Sequence, residues 1–228
     1  MVLAGKIFRL KEKVSLKDLA EKLKGFKVEE TYRENGFQLT LTTEIKELNH
    51  KENLIEGKIL RDEIIHLRQK DQIKPFPKTV EAPFTLHECK NTILMTILGK
   101  KWKANSLANL FSEKIFGFMG FVLEVRIPPE NLKKYHEENP EGTKVIFFND
   151  VNLPNVKKLS LYGADLKNST LYKDFLSHGN MWYVVVTSKR YGYVVGLTGN
   201  GIVTVFNQIS VKDFLAYVRE EVFPLIMV

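Results

Sequence analysis

The sequence predicts an α+β protein of two similar halves, each a curved antiparallel sheet with helices on one face. Three observations predict it. The order strand, helix, several strands, helix occurs twice along the 228 residues. Glycine- and asparagine-based turn signals separate short alternating runs, which is the pattern of hairpins. At 44% hydrophobic and 27% charged residues the composition is that of an ordinary globular chain. A chain of this length can bury a core without disulfides or metals.

The first half opens with a short strand from Lys6 to Leu10. Ser15 is a natural N-cap, Asp18 sits where an acid favours the positive helix end, and Leu16, Leu19, Ala20 and Leu23 form one apolar face. Gly25 is the expected stop. Strands from Val28 to Arg33 and from Phe37 to Leu48 flank Asn35-Gly36, a strong two-residue hairpin signal. Strands continue from Asn53 to Leu67 and from Ala82 to Leu98. Between them Pro75, Pro77 and Pro83 predict an extended loop or hairpin tip from Gln69 to Pro83. A helix from Lys103 to Phe116, with Leu107, Leu110, Phe111 and Ile115 on one face, ends at Gly117. The run Gly117 to Gly120 divides a half at 1–117 from a half at 118–228.

The second half begins with a strand from Phe121 to Ile127. Pro128 and Pro129 open a helix from Glu130 to Glu138, which Pro140 to Gly142 ends. Strands from Lys144 to Asn149 and from Val156 to Tyr162 follow. Ser169 caps a helix carrying Leu171, Tyr172, Phe175 and Leu176, closed by Gly179. A meander runs through Met181 to Thr187, Tyr193 to Leu197 and Ile202 to Phe206. The last helix starts at Ser210, with Val211, Phe214, Leu215, Val218 and Val222 inward. The repeated element order resembles the saddle-shaped arrangement of TATA-binding proteins. That is a likeness of order alone and carries no functional residues.

The single cysteine, Cys89, fits a reducing compartment. No apolar leader follows Met1, and no apolar run reaches the roughly 20 residues a membrane helix needs. The expectation is a cytoplasmic protein with no membrane partner. Lysine and glutamate dominate the charged set, the pattern of a thermophile chain.

The usual catalytic motifs are absent. The sequence has no GxxxxGK[ST], no GxSxG and no HExxH, and the glycines from Gly196 to Gly201 sit between strands rather than before a helix. His87-Glu88-Cys89 places a His and a Cys on one strand face but lacks a third ligand, so Cys89 reads as a small buried hydrophobe. Glu124, Asp150 and Asp165 could converge on a metal, but a strand-face pairing of Glu124 with Arg126 and turn chemistry at the two aspartates explain them as well. The expectation is no catalytic residue, no metal site and no cofactor. A metal-dependent enzyme acting on nucleic acid is the third-ranked reading.

The formal net charge is +7, and it is uneven. Residues 1–117 hold 22 Lys and Arg against 16 Asp and Glu, whereas residues 118–228 hold 12 against 11. A basic half suggests an anionic partner. Arg61, Arg68, Lys70, Lys74 and Lys78 surround a proline-broken segment with Phe76. Lys100, Lys101 and Lys103 surround Trp102 at a helix start, where the helix dipole disfavours cations and an anion would fit. Lys189 and Arg190 precede Tyr191 at a hairpin tip. The expectation is a non-catalytic protein that binds DNA or RNA through these residues. The alternative is an assembly subunit that docks a protein partner or a second copy of itself.

Overall fold

A computed structural model describes residues 2–70, 72–89, 92–139 and 142–226. Its first part comprises β1 (Leu3–Leu10), α1 (Leu16–Leu23), β2 (Lys27–Glu34), β3 (Phe37–Lys51), β4 (Leu54–Gln69), β5 (Gln72–Cys89), β6 (Thr92–Leu98) and α2 (Lys101–Leu110). A π-helical turn over Phe111–Ile115 extends α2, and Gly117, at φ 83°, ends it. Then come β7 (Val122–Glu124), α3 (Pro129–Glu138), β8 (Val145–Asn149), β9 (Leu159–Tyr162) and α4 (Thr170–His178). β10 (Asn180–Thr187), β11 (Val194–Thr198), β12 (Ile202–Val205) and α5 (Val211–Tyr217) follow, and α5 continues into a π-helical turn over Val218–Val222 and a 3-10 turn over Phe223–Leu225. Pro140, expected to end α3, lies outside the described residues.

Among the described residues, twelve strands join one antiparallel sheet, in the order β2-β3-β4-β5-β6-β1-β12-β11-β10-β8-β9, with β7 also on β1. This corrects the expectation of two separate halves with helices on one face. The cause is β1, which is paired along both edges. One edge takes β6 (Gly5 opposite Leu98); the other takes β12 (Leu3 opposite Val205) and then β7 (Phe8 opposite Glu124).

The helices also do not share a face. Ile7, Leu94 and Leu98 belong to one buried core, and Phe8, Ile93, Met95 and Ile97 to another. Neighbouring residues of a strand point to opposite faces, so the two cores lie on opposite sides of the same sheet. α1 and α2 supply Leu16, Leu19, Leu23, Ala104 and Leu107 to the second core. α3, α4 and α5 supply Leu132, Tyr135, Tyr172, Phe214 and Tyr217 to the first.

The helix starts follow local chemistry. The hydroxyls of Ser15, Ser169 and Ser210 accept from the amides of Asp18, Tyr172 and Asp213, filling donors that a helix leaves open. The Asn35-Gly36 turn has positive φ at both residues, as a tight hairpin requires.

The prolines from Pro75 to Pro83 do not break the ladder. β5 pairs with β4 without a register shift from Leu54–His87 to Gln69–Gln72, with Pro75 opposite His66 and Pro77 opposite Ile64. The Glu88 amide donates to the Asn53 carbonyl on the β4 side. Even-numbered residues of β5 therefore face β4, and odd-numbered ones face the other edge. Pro75, Pro77 and Pro83 are all odd, and β6 pairs only from Phe84 onward. Their missing N–H groups cost the β4–β5 ladder nothing.

Among the described residues no helix is long and apolar enough to cross a membrane.

Candidate nucleic-acid interface

The sequence-predicted cations do not form one surface. By strand alternation Arg61, Lys74 and Lys78 share a face of the β4–β5 ribbon, with Glu63 opposite Lys78, while Arg68 points to the other face. Lys70 occupies the turn at φ 56°. Arg61 donates to Ser106 Oγ on α2 at 3.0 Å, Arg68 to the Lys70 carbonyl at 3.4 Å, and Lys74 to Gln69 Oε1 at 3.2 Å. Lys103 donates to the Glu81 carbonyl on the open edge of β5 at 2.9 Å, and burial lowers its pKa. Lys100 is the N-cap of α2 and makes no side-chain capping bond; Lys101 and Trp102 beside it are exposed. Arg190 pairs with Glu220 at 2.7 Å and Glu221 at 3.2 Å, and Lys189 next to it is exposed.

The acidic constellation does not assemble. Glu124 pairs with Lys6, not with Arg126. Asp150 and Asp165 adopt left-handed backbone at φ 51° and 52°, and Asp165 accepts from Asn168. Among the described residues no three His, Cys, Asp or Glu side chains group as a metal site would need. Cys89 Sγ lies 3.3 Å from His87 Nδ1, and His87 is held low in pKa by burial and by the Arg219 charge.

The more coherent surface is one the sequence reading missed. α3, α4 and α5 cover one face of β8–β12. The opposite face carries Phe147, Tyr162, Trp182, Tyr183 and Phe206, which alternate with the core residues Ile146, Phe148, Leu161, Met181, Val184 and Val205. A bulge makes this possible. Met181 pairs with Phe148 and Tyr183 with Phe147, so Trp182 is the extra residue. The bulge puts Trp182 and Tyr183 on the same side, which strict alternation forbids.

The rings form a connected sheet surface. Phe147 lies 5.8 Å from Tyr162, 5.9 Å from Trp182 and 5.3 Å from Tyr183, centroid to centroid. Gly196 gives the layer room, because a Cβ there would stand 2.7 Å from the Tyr183 hydroxyl and 3.3 Å from the Phe206 ring. Two of the rings are open to solvent, Tyr162 at 67% exposed and Phe206 at 45%, and the other three are half-buried. Lys158 Nζ sits 5.3 Å from the centre of the Trp182 ring, where a cation is attracted to the π-face. The sequence signal was present in Trp182-Tyr183 and in Phe147 and Tyr162 at strand spacing, but the bulge hid which rings share a face.

No family model matches the sequence, and no curated protein matches it.

Proposed function

We propose that this protein binds nucleic acid without catalysis, and that it takes single strands on the open face of β8–β12. The observation that carries the reading is the aromatic layer of half-buried Phe147, Trp182 and Tyr183 with exposed Tyr162 and Phe206, and Lys158 against Trp182. Aromatic rings on a sheet stack two or three unpaired bases, and bordering cations meet the phosphates. A duplex hides its base faces, so it gains little from such a surface. The cations on the β4–β5 ribbon and at the start of α2 raise the local concentration of an anionic strand.

The test is fluorescence anisotropy with single-stranded and duplex oligonucleotides at several salt concentrations. Single strands should bind more tightly than duplex, with affinity falling as salt rises. The double variant Tyr162→Ala/Phe206→Ala should lose about 1–3 kcal/mol per stacked base, or about 5- to 150-fold each. Absence of single-strand binding at about 50 mM salt would end the reading, since phosphate contacts are strongest at low salt. The surface would then be assigned to a protein partner or a second copy.

A further inference from the structure

At the end of this aromatic face lies a cleft of about 370 Å³ between the start of α2, the β7–α3 connection and the ends of β8, β10 and β11. Its walls include Lys101, Arg126, Asn149, Asp150, Asn180 and Trp182. The volume is at the small end of what ligand sites use. Its polar wall faces solvent: Lys101, Arg126, Asp150 and Asn180 are exposed, and Asn149 is half-buried. The side chains of Lys101, Arg126, Asn149, Asp150 and Asn180 make no hydrogen bond or ion pair among the described residues. The Trp182 Nε1–H is buried and has no acceptor among them either. A buried donor left without a partner costs stability unless something else supplies an acceptor.

Three kinds of group therefore meet in one place. An indole gives a stacking face, two cations can meet a phosphate, and two amides with a carboxylate can meet the polar edge of a base. We propose that the cleft holds one nucleotide unit of a strand, with its base against Trp182 and its phosphate between Lys101 and Arg126. This rests on the single-strand reading above and deepens it by adding a base-reading subsite. Asn side chains donate to and accept from base edges, and Asp accepts from an exocyclic amino group. The cleft thus favours adenine, cytosine or guanine over uracil and thymine, which have no amino group for Asp150.

The probes are the nucleoside 5′-monophosphates of all bases, as ribo and deoxy forms, titrated against intrinsic fluorescence. The chain has two tryptophans, so Trp102→Phe leaves Trp182 as the sole indole; Trp102 is mostly exposed, and its replacement should change stability by no more than about 0.5 kcal/mol. Saturable quenching is expected with the amino-bearing bases, and weaker binding of UMP and dTMP by on the order of tenfold. Arg126→Ala should weaken all the nucleotides alike. Asp150→Ala/Asn180→Ala should abolish the preference while leaving quenching in place. A difference between ribo and deoxy forms would assign the strand as RNA or DNA. If no nucleotide quenches saturably, or if quenching ignores both Arg126→Ala and Asp150→Ala/Asn180→Ala, the nucleotide site is overturned. Oligonucleotides that bind while mononucleotides do not would retain the aromatic platform and remove the cleft. Mononucleotides that bind while oligonucleotides do not would do the reverse.

Discussion

Removing the partner of Lys6 should destabilise the protein more than removing the pair. Lys6 is fully buried, and its ammonium contacts Glu124 and donates to Asn105 Oδ1 at 2.7 Å. The carboxylate end is different, because Glu124 is 52% exposed. In Glu124→Gln the buried charge loses its counter-ion. Breaking a pair buried at both ends costs about 3–5 kcal/mol. Here Asn105 remains and water already reaches the Glu124 side, so about 2–3 kcal/mol is the expected cost. In a chain of this size that lowers Tm by about 4–12 °C. Lys6→Met/Glu124→Gln should recover most of the loss, because an apolar chain of similar length fills the slot without a charge. Urea unfolding and thermal melts of the wild type, the single variant and the double variant measure this. A single variant within about 0.5 kcal/mol of the wild type, the range of an ordinary surface change, would refute the buried-charge reasoning. So would a double variant as unstable as the single one.

Three further outcomes are expected. His136 is buried beside Thr143 Oγ1, and burial, with the Glu137 and Lys167 charges opposing each other, pushes its pKa down to about 4. The unfolded chain takes that proton first, so the stability is present above about pH 6.5 and lost as pH falls toward 4, by up to about 3 kcal/mol; urea midpoints of the wild type and His136→Gln across this window should converge at low pH. Gly196→Ala should push apart the Tyr183 and Phe206 rings that its Cβ would meet, weakening single-strand binding in anisotropy and costing about 1–3 kcal/mol of stability through overpacking. Ser210→Ala removes the oxygen that accepts from the Asp213 amide at 3.1 Å, and chemical denaturation should show a loss of about 1 kcal/mol.

Local chemistry was legible in the sequence and long-range pairing was not. Ser15, Ser169 and Ser210 cap the helices where Ser and the following amides require it. Asn35-Gly36 turns where only residues tolerant of positive φ can. In contrast, β1 meets β6, β7 and β12 across separations of about 90 to 200 residues, and no local pattern encodes which strand fills an edge. Pro75 and Pro77 read as a loop because their cost depends on parity and on the absence of a neighbour on one side, both set by the sheet. The candidate site was missed for a related reason. Lysine clusters stand out in a linear reading, whereas Phe147, Tyr162, Trp182 and Phe206 come together only once the strands align and the bulge turns one ring over.

The prolines of β5 also blunt its open edge. Among the described residues, the outward edge of β5 from Ile73 to Pro83 carries no neighbouring strand. A long unpaired edge is a template on which another chain can add a strand and begin a fibre. Of the six outward residues, 73, 75, 77, 79, 81 and 83, three are proline. An arriving strand would find half its donors missing, and Lys103 already occupies the Glu81 carbonyl. Replacing Pro75 and Pro77 by threonine would restore two of the three missing donors and make that edge a better template for an added strand.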